Sequence, residues 1–108
     1  DLQDLVDTGT TVAHCPTVFQ RRGITLQSFG EYVRRGVNMA IGTDTYPHNM
    51  IEEMRPVAIM SRVVAEDVYD VRSVDVFNAA TLGGARISAA CRWVPRPTSC
   101  WWTRTTPL

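Results

Sequence analysis

The chain has 108 residues, 44% of them hydrophobic, with 11 basic and 11 acidic side chains and a formal net charge of zero. That length suits one small domain able to bury a core of its own. The balanced charge removes the electrostatic footprint expected of a nucleic-acid or membrane-surface binder, and no apolar run is long enough to span a bilayer.

Asp1 to Asp7 places Leu2, Leu5 and Val6 on one helical face, and Gly9 stops the helix. The chain thus opens inside a helix, without a Met. The short β-branched run Thr10–His14 reads as a strand, ended by Cys15-Pro16 because proline cannot continue a ladder. Thr17–Ile24 reads as a loop. Thr25 is expected to cap a helix through Arg35, with Leu26, Phe29, Tyr32 and Val33 on its apolar side and Gly36 at its end. Val37–Ile41 forms a second strand, so strand, helix and strand make a βαβ unit with a parallel pair.

Asn49 caps a long helix, Met50 to Ala65, whose Met, Val and Ile residues predict heavy burial. Pro56 falls inside it and predicts a kink or a delayed regular start. A polar connector leads to Ser73, the expected cap of a helix running from Val74 to about Leu82. Gly83-Gly84 follows, and Ala85–Ser88 extends it by a turn at most.

The two strands end at chemically capable residues, His14 and, just beyond the second, Asp44. Parallel strands put those ends on one side, which is how α/β barrels gather catalytic groups. On local sequence alone, Asp44 is equally readable as a simple cap after a strand.

Four stretches then match one family in order and spacing: Val12-Ala13-His14-Cys15-Pro16, Gly36 to Asp44 ending in Ile41-Gly42-Thr43-Asp44, Asn49 to Arg55, and Ala80-Thr81-Leu82-Gly83-Gly84-Ala85. Together they resemble the amidohydrolase superfamily, in the branch of cytosine, guanine and triazine deaminases and triazine chlorohydrolases. The resemblance covers residues 1–87 and implies an α/β fold: the last two βα units of a (β/α)8 TIM barrel, with Thr11–His14 and Val37–Ile41 as the seventh and eighth strands.

The resemblance further implies a divalent metal, zinc or iron, in the full-length family. Asp44 would contact that metal and take the proton from the attacking water. His48, on the loop after Asp44, and His14 are candidate substrate-binding residues. The family's remaining ligands lie on strands absent here, so the fragment alone is expected to be inactive and metal-free. The implied reaction is hydrolysis of a non-peptide C–N bond, the deamination of a small cyclic amidine or heteroaromatic ring by metal-activated water; triazine dechlorination by the same site, or a non-enzymatic α/β interaction domain, are the alternatives. The parent would be cytoplasmic, bind neither nucleic acid nor membrane, and could form a homo-oligomer.

Many relatives continue the first strand with His-x-Pro-x-Ser-Asn, whereas this chain has Val18 and Phe19 in place of the polar pair, which implies a more apolar substrate edge. Cys15 has no adjacent base and reads as a small buried thiol. Glu52 and Glu53 read as first-turn acids that favour the helix dipole.

The organisation expected is a barrel fragment over 1–88 and an irregular tail over 89–108. All three Trp and half of the prolines fall in that tail, which has no Asp or Glu. Its lack of period, together with all basic residues being Arg, suggests a frameshift in GC-rich coding sequence and a disordered, non-functional end. Three cysteines (Cys15, Cys91, Cys100) without a CxxC pair or an even disulfide set are consistent with a reduced compartment.

Overall fold

A computed structural model describes residues 1–92. The elements run α1 (Leu2–Asp7), β1 (Thr11–His14), α2 (Pro16–Arg21), α3 (Phe29–Arg34), β2 (Asn38–Ile41), α4 (Met50–Ala65), α5 (Ser73–Asn78), a π-helical turn (Ala79–Gly83) and α6 (Gly84–Arg92). β1 and β2 pair in parallel with Thr11 opposite Asn38 and His14 opposite Ile41, as the βαβ pattern requires. The small α/β architecture expected from the sequence is therefore present, built on a two-stranded sheet.

Alternation along the strands assigns the two sheet faces different chemistry. Met39 and Ile41, with Val12 packed against them, share one face. It meets Phe29 of α3, Val57 of α4, Val71, and Val76 and Ala79 of the α5 segment in a single core. The opposite face carries Thr11, Ala13, Asn38 and Ala40, all small or polar.

Three of the expected elements differ. The segment expected as a loop over Thr17–Ile24 begins as helix α2, because Pro16 does more than end the strand: it opens a helix at N1, where its missing N–H costs nothing. The cap of α3 is Ser28, not Thr25; the Ser28 hydroxyl accepts from Glu31 N at 2.9 Å, while Thr25 Oγ1 turns to the Leu26 carbonyl. The helix expected to be capped by Ser73, and to run from Val74 to about Leu82 with a turn more over Ala85–Ser88, is capped by Arg72 instead, whose N–H reaches Asp75 Oδ2, and it runs on through a π turn into α6. Gly83 is there for close approach, not termination: a Cβ at this position would overlap the Met39 carbonyl oxygen.

Helix α4 has the expected limits, with Asn49 Oδ1 accepting from Ile51 N and Glu52 N. Pro56 lies within it without interrupting it, and its unbonded i−4 partner, Glu52, stands on the exposed side. The heavy burial expected of this helix is confined to one stripe, Glu53, Val57 and Ser61, whereas Ile51, Ile59 and Val63 are exposed.

A buried carboxylate locks the layers together. Asp70, in the connector after α4, accepts from Ser28 Oγ at 2.7 Å, from Ser61 Oγ at 2.5 Å and from Arg34 at 2.9 Å. Ser61 Oγ in turn accepts from Gly30 N at 3.1 Å. Burial alone would raise the Asp70 pKa, but the bonds from Ser61, Ser28 and Arg34 outweigh it and hold the carboxyl below its ordinary value. The helix α6 passes Ser88, the expected end of the fragment, and continues to Arg92; the irregular tail and its frameshift otherwise lie outside the described residues.

Candidate active site at the strand ends

The parallel register brings the C-terminal ends of β1 and β2 side by side, and Gly42 N extends the ladder by donating to the His14 carbonyl at 3.0 Å. Beyond Gly42 the chain leaves the sheet in a tight loop, Thr43–Asn49. Asp44 adopts φ +54°, a left-handed conformation that Asp tolerates better than most side chains and that gathers at functional loops. Its carboxylate is exposed at the strand-end face.

The loop is tied at several points. The Thr43 hydroxyl and His48 Nδ1 lie 3.0 Å apart, Asn49 N donates to the Pro47 carbonyl at 2.9 Å, and Arg21 from α2 donates to the Tyr46 carbonyl at 3.2 Å. His48 thus shares this loop with Asp44 and is exposed there.

His14 is differently placed. It is 5% exposed and lies on the helix-facing side of β1, edge-on to Phe19 at a centroid distance of 5.1 Å and tilted against Phe29 at 6.2 Å. Burial pushes its pKa down, with the Glu53 carboxylate pulling the other way, and Nδ1 has no hydrogen-bond partner among the described residues. Val18, expected at an apolar substrate edge, is buried in the core, and Phe19 packs on His14.

Cys15 lies against Gly42, within electrostatic reach of Asp44. Its sulfur sits so close to Gly42 that a Cβ there would meet it at 3.2 Å. Burial, then the Asp44 and Glu53 carboxylates, raise the thiol pKa, against a lowering bond from the Gly42 backbone. A raised pKa keeps the thiol protonated, so Cys15 should alkylate with iodoacetamide at pH 8 about tenfold more slowly than in the urea-unfolded chain. Mass mapping of the Cys15 peptide checks this; equal rates would show that the thiol is not held in this environment.

Glu53 does more than favour the helix dipole. It is 2% exposed, and its Oε2 accepts from Thr17 N at 3.1 Å. The available signal is its spacing, four residues before Val57 and eight before Ser61, which puts Glu53 on the buried stripe and not among the solvated first-turn acids.

Among the described residues, no group of three or more His, Cys, Asp or Glu side chains could hold a metal ion. A catalytic divalent metal takes about three protein ligands. One exposed carboxylate, with His14 turned into the helical layer, does not meet that need, so these residues alone do not fit the zinc or iron centre that the resemblance implies. What they offer is a carboxylate able to accept a proton, held at the open end of a parallel strand pair.

Residues 1–89 match the amidohydrolase family. The chain is 32% identical over 90 residues to a 5-methylthioadenosine/S-adenosylhomocysteine deaminase of Pyrococcus abyssi, covering 80% of this chain and 21% of the relative. It is 34% identical over 89 residues to the enzyme of the same name from Natronomonas pharaonis, with 79% and 21% covered. A 5'-deoxyadenosine deaminase of Methanothermobacter thermautotrophicus is 30% identical over 90 residues, with 80% and 21% covered. The chain therefore spans about a fifth of the length of these curated relatives. No solved structure matches it.

Proposed function

The chain belongs to the amidohydrolase family, and from that membership we propose that it is the C-terminal part of a metal-dependent deaminase barrel acting on a small adenine nucleoside. The relatives' names favour an adenosine-type substrate over the cytosine, guanine or triazine rings to which the motifs also pointed. β1 and β2 are the seventh and eighth barrel strands. The small, polar face of Thr11, Ala13, Asn38 and Ala40 suits a barrel interior, and the Phe29–Val57–Val76 face suits the outer helical layer.

The observation that carries the site is the placement of Asp44 at the shared C-terminal end of a parallel pair, on a left-handed turn. In hydrolytic deamination, the oxygen of water bonds to the ring carbon, the C–N bond breaks, and ammonia leaves. Asp44 accepts the proton that water gives up and returns one to the departing amine. His48 contributes to the loop beside the substrate. His14 supports the strand end from behind. The chain by itself carries one acid–base group and turns over no nucleoside.

A chimera tests this reading. Residues 1–89 replace the matching segment of the Pyrococcus abyssi relative, and 5-methylthioadenosine deamination is followed by ultraviolet absorbance. Asp44→Asn in that chimera should lower kcat/KM about a hundredfold or more, the scale of losing a positioned acid–base group. Unchanged turnover in the variant would remove Asp44 from the reaction.

A further inference from the structure

The structure assigns Arg21 and Glu53 a joint positioning role: together they clamp the loop that carries Asp44 between α2 and α4. This rests on the reading of Asp44 as the acid–base group, but the clamp itself is read from geometry that Asp44 does not enter.

Helix α2 begins without a side-chain cap of its own, because Cys15 supplies no acceptor. Its early N–H groups need one. Glu53 supplies it from α4, a distant element, through the 3.1 Å bond from Thr17 N. The bond spans 36 residues and is largely shielded from water, so it fixes where the start of α2 sits relative to α4.

The far end of α2 then reaches the loop. Arg21 Nη1 donates to the Tyr46 carbonyl at 3.2 Å and lies 3.4 Å from the Thr45 hydroxyl. The loop returns to α4 through Asn49, which caps the same helix one turn before Glu53. α4, α2 and the loop make a closed circuit, with Asp44 one residue from its Arg21 anchor at Thr45. A guanidinium is suited to this work, since the two hydrogens on Nη1 can serve a carbonyl and a hydroxyl at once. Among the described residues, removing Arg21 leaves the Asp44 turn held by bonds within its own loop and by the distant Asn49 cap on α4.

The experiment reads loop mobility and turnover separately. Hydrogen exchange of the peptide spanning Thr45–Asn49 is measured by mass spectrometry in the full chain, with α4 peptides from Val57 onward as the fold control. In Arg21→Ala, loop exchange should rise about tenfold while α4 protection is kept, and Arg21→Lys should restore most of it. Glu53→Ala should loosen α2 and the loop together, whereas Glu53→Gln, which keeps an acceptor oxygen, should not.

In the chimera, Arg21→Ala should lower kcat about tenfold and leave KM within about twofold, as expected when a reacting group is misaligned and substrate binding is intact. Unchanged loop exchange in Arg21→Ala overturns the clamp. So does a loss of α4 protection matching that of the loop, because the effect would then be general unfolding. A loosened loop in a chimera where Asp44→Asn has no effect would sustain the clamp and sink the proposed chemistry instead.

Discussion

Gly83→Ala is expected to destabilise the chain by about 3 kcal/mol or more, a change that one methyl group causes only where there is no room for it. The added Cβ would overlap the Met39 carbonyl oxygen and press on the Ala40 Cα, both of them backbone atoms of strand β2. Backbone cannot swing aside as a long side chain can, so either the π-helical turn lifts from the sheet or β2 distorts. Asn38 is drawn in as well, because its amide donates to the Gly83 carbonyl at 3.4 Å and to the Thr11 hydroxyl at 2.9 Å. Gly84→Ala is the matched control, since a Cβ there meets nothing within 4 Å. It should be neutral or stabilising by up to about 1 kcal/mol through helix propensity alone. Urea unfolding of the two variants checks the pair; equal midpoints would show that the turn does not seat on β2 as described.

The second large effect belongs to Asp70. Asp70→Ala should cost about 3–5 kcal/mol, the range seen when one partner of a buried charged network is removed. The deletion strands the hydroxyls of Ser28 and Ser61 around an empty space and takes one of two bonds from the half-exposed Arg34 guanidinium, so the carboxylate's ties to α3 and α4 are lost together. Because the folded-state pKa of Asp70 lies below its unfolded value of about 3.9, its contribution is fully present above that value. It is lost as pH falls from about 4 through the lower folded pKa. Asp70→Asn should therefore flatten the pH dependence of stability below about pH 4 while costing less than Ala at pH 7. A wild-type curve that is already flat over that window would count against the network.

Much of the architecture was legible because its signals are local. Asn49 before an apolar helix, alternating residues in two short strands, and a helix between them lead directly to a parallel pair. The family motifs then pointed to Asp44. What escaped prediction was set by contacts far along the chain. Pro16 reads equally as a strand end or a helix start, and packing of Val18 and Phe19 decides between them. Gly83 looks like a stop until β2 is set beside it. Glu53 looks like a dipole acid until α2 needs a cap. His14 sits at the predicted end of its strand, but which way a side chain turns depends on the face that α2 and α3 cover. No window of neighbouring residues contains the direction that His14 takes.

The Asp70 latch also imposes an order in time. Ser28 and Asp70 stand 42 residues apart, and Arg34 and Asp70 stand 36 apart. At a synthesis rate of about 5–20 residues per second, α3 waits about 2–8 s after its own cap is made before the carboxylate that locks it exists. Within that interval Arg34 and then β2 are made, and Arg34 and the Ser28 hydroxyl face water until Asp70 follows. On the ribosome the sheet is thus laid down before its fastening, and the nascent domain stays open until the connector after α4 emerges.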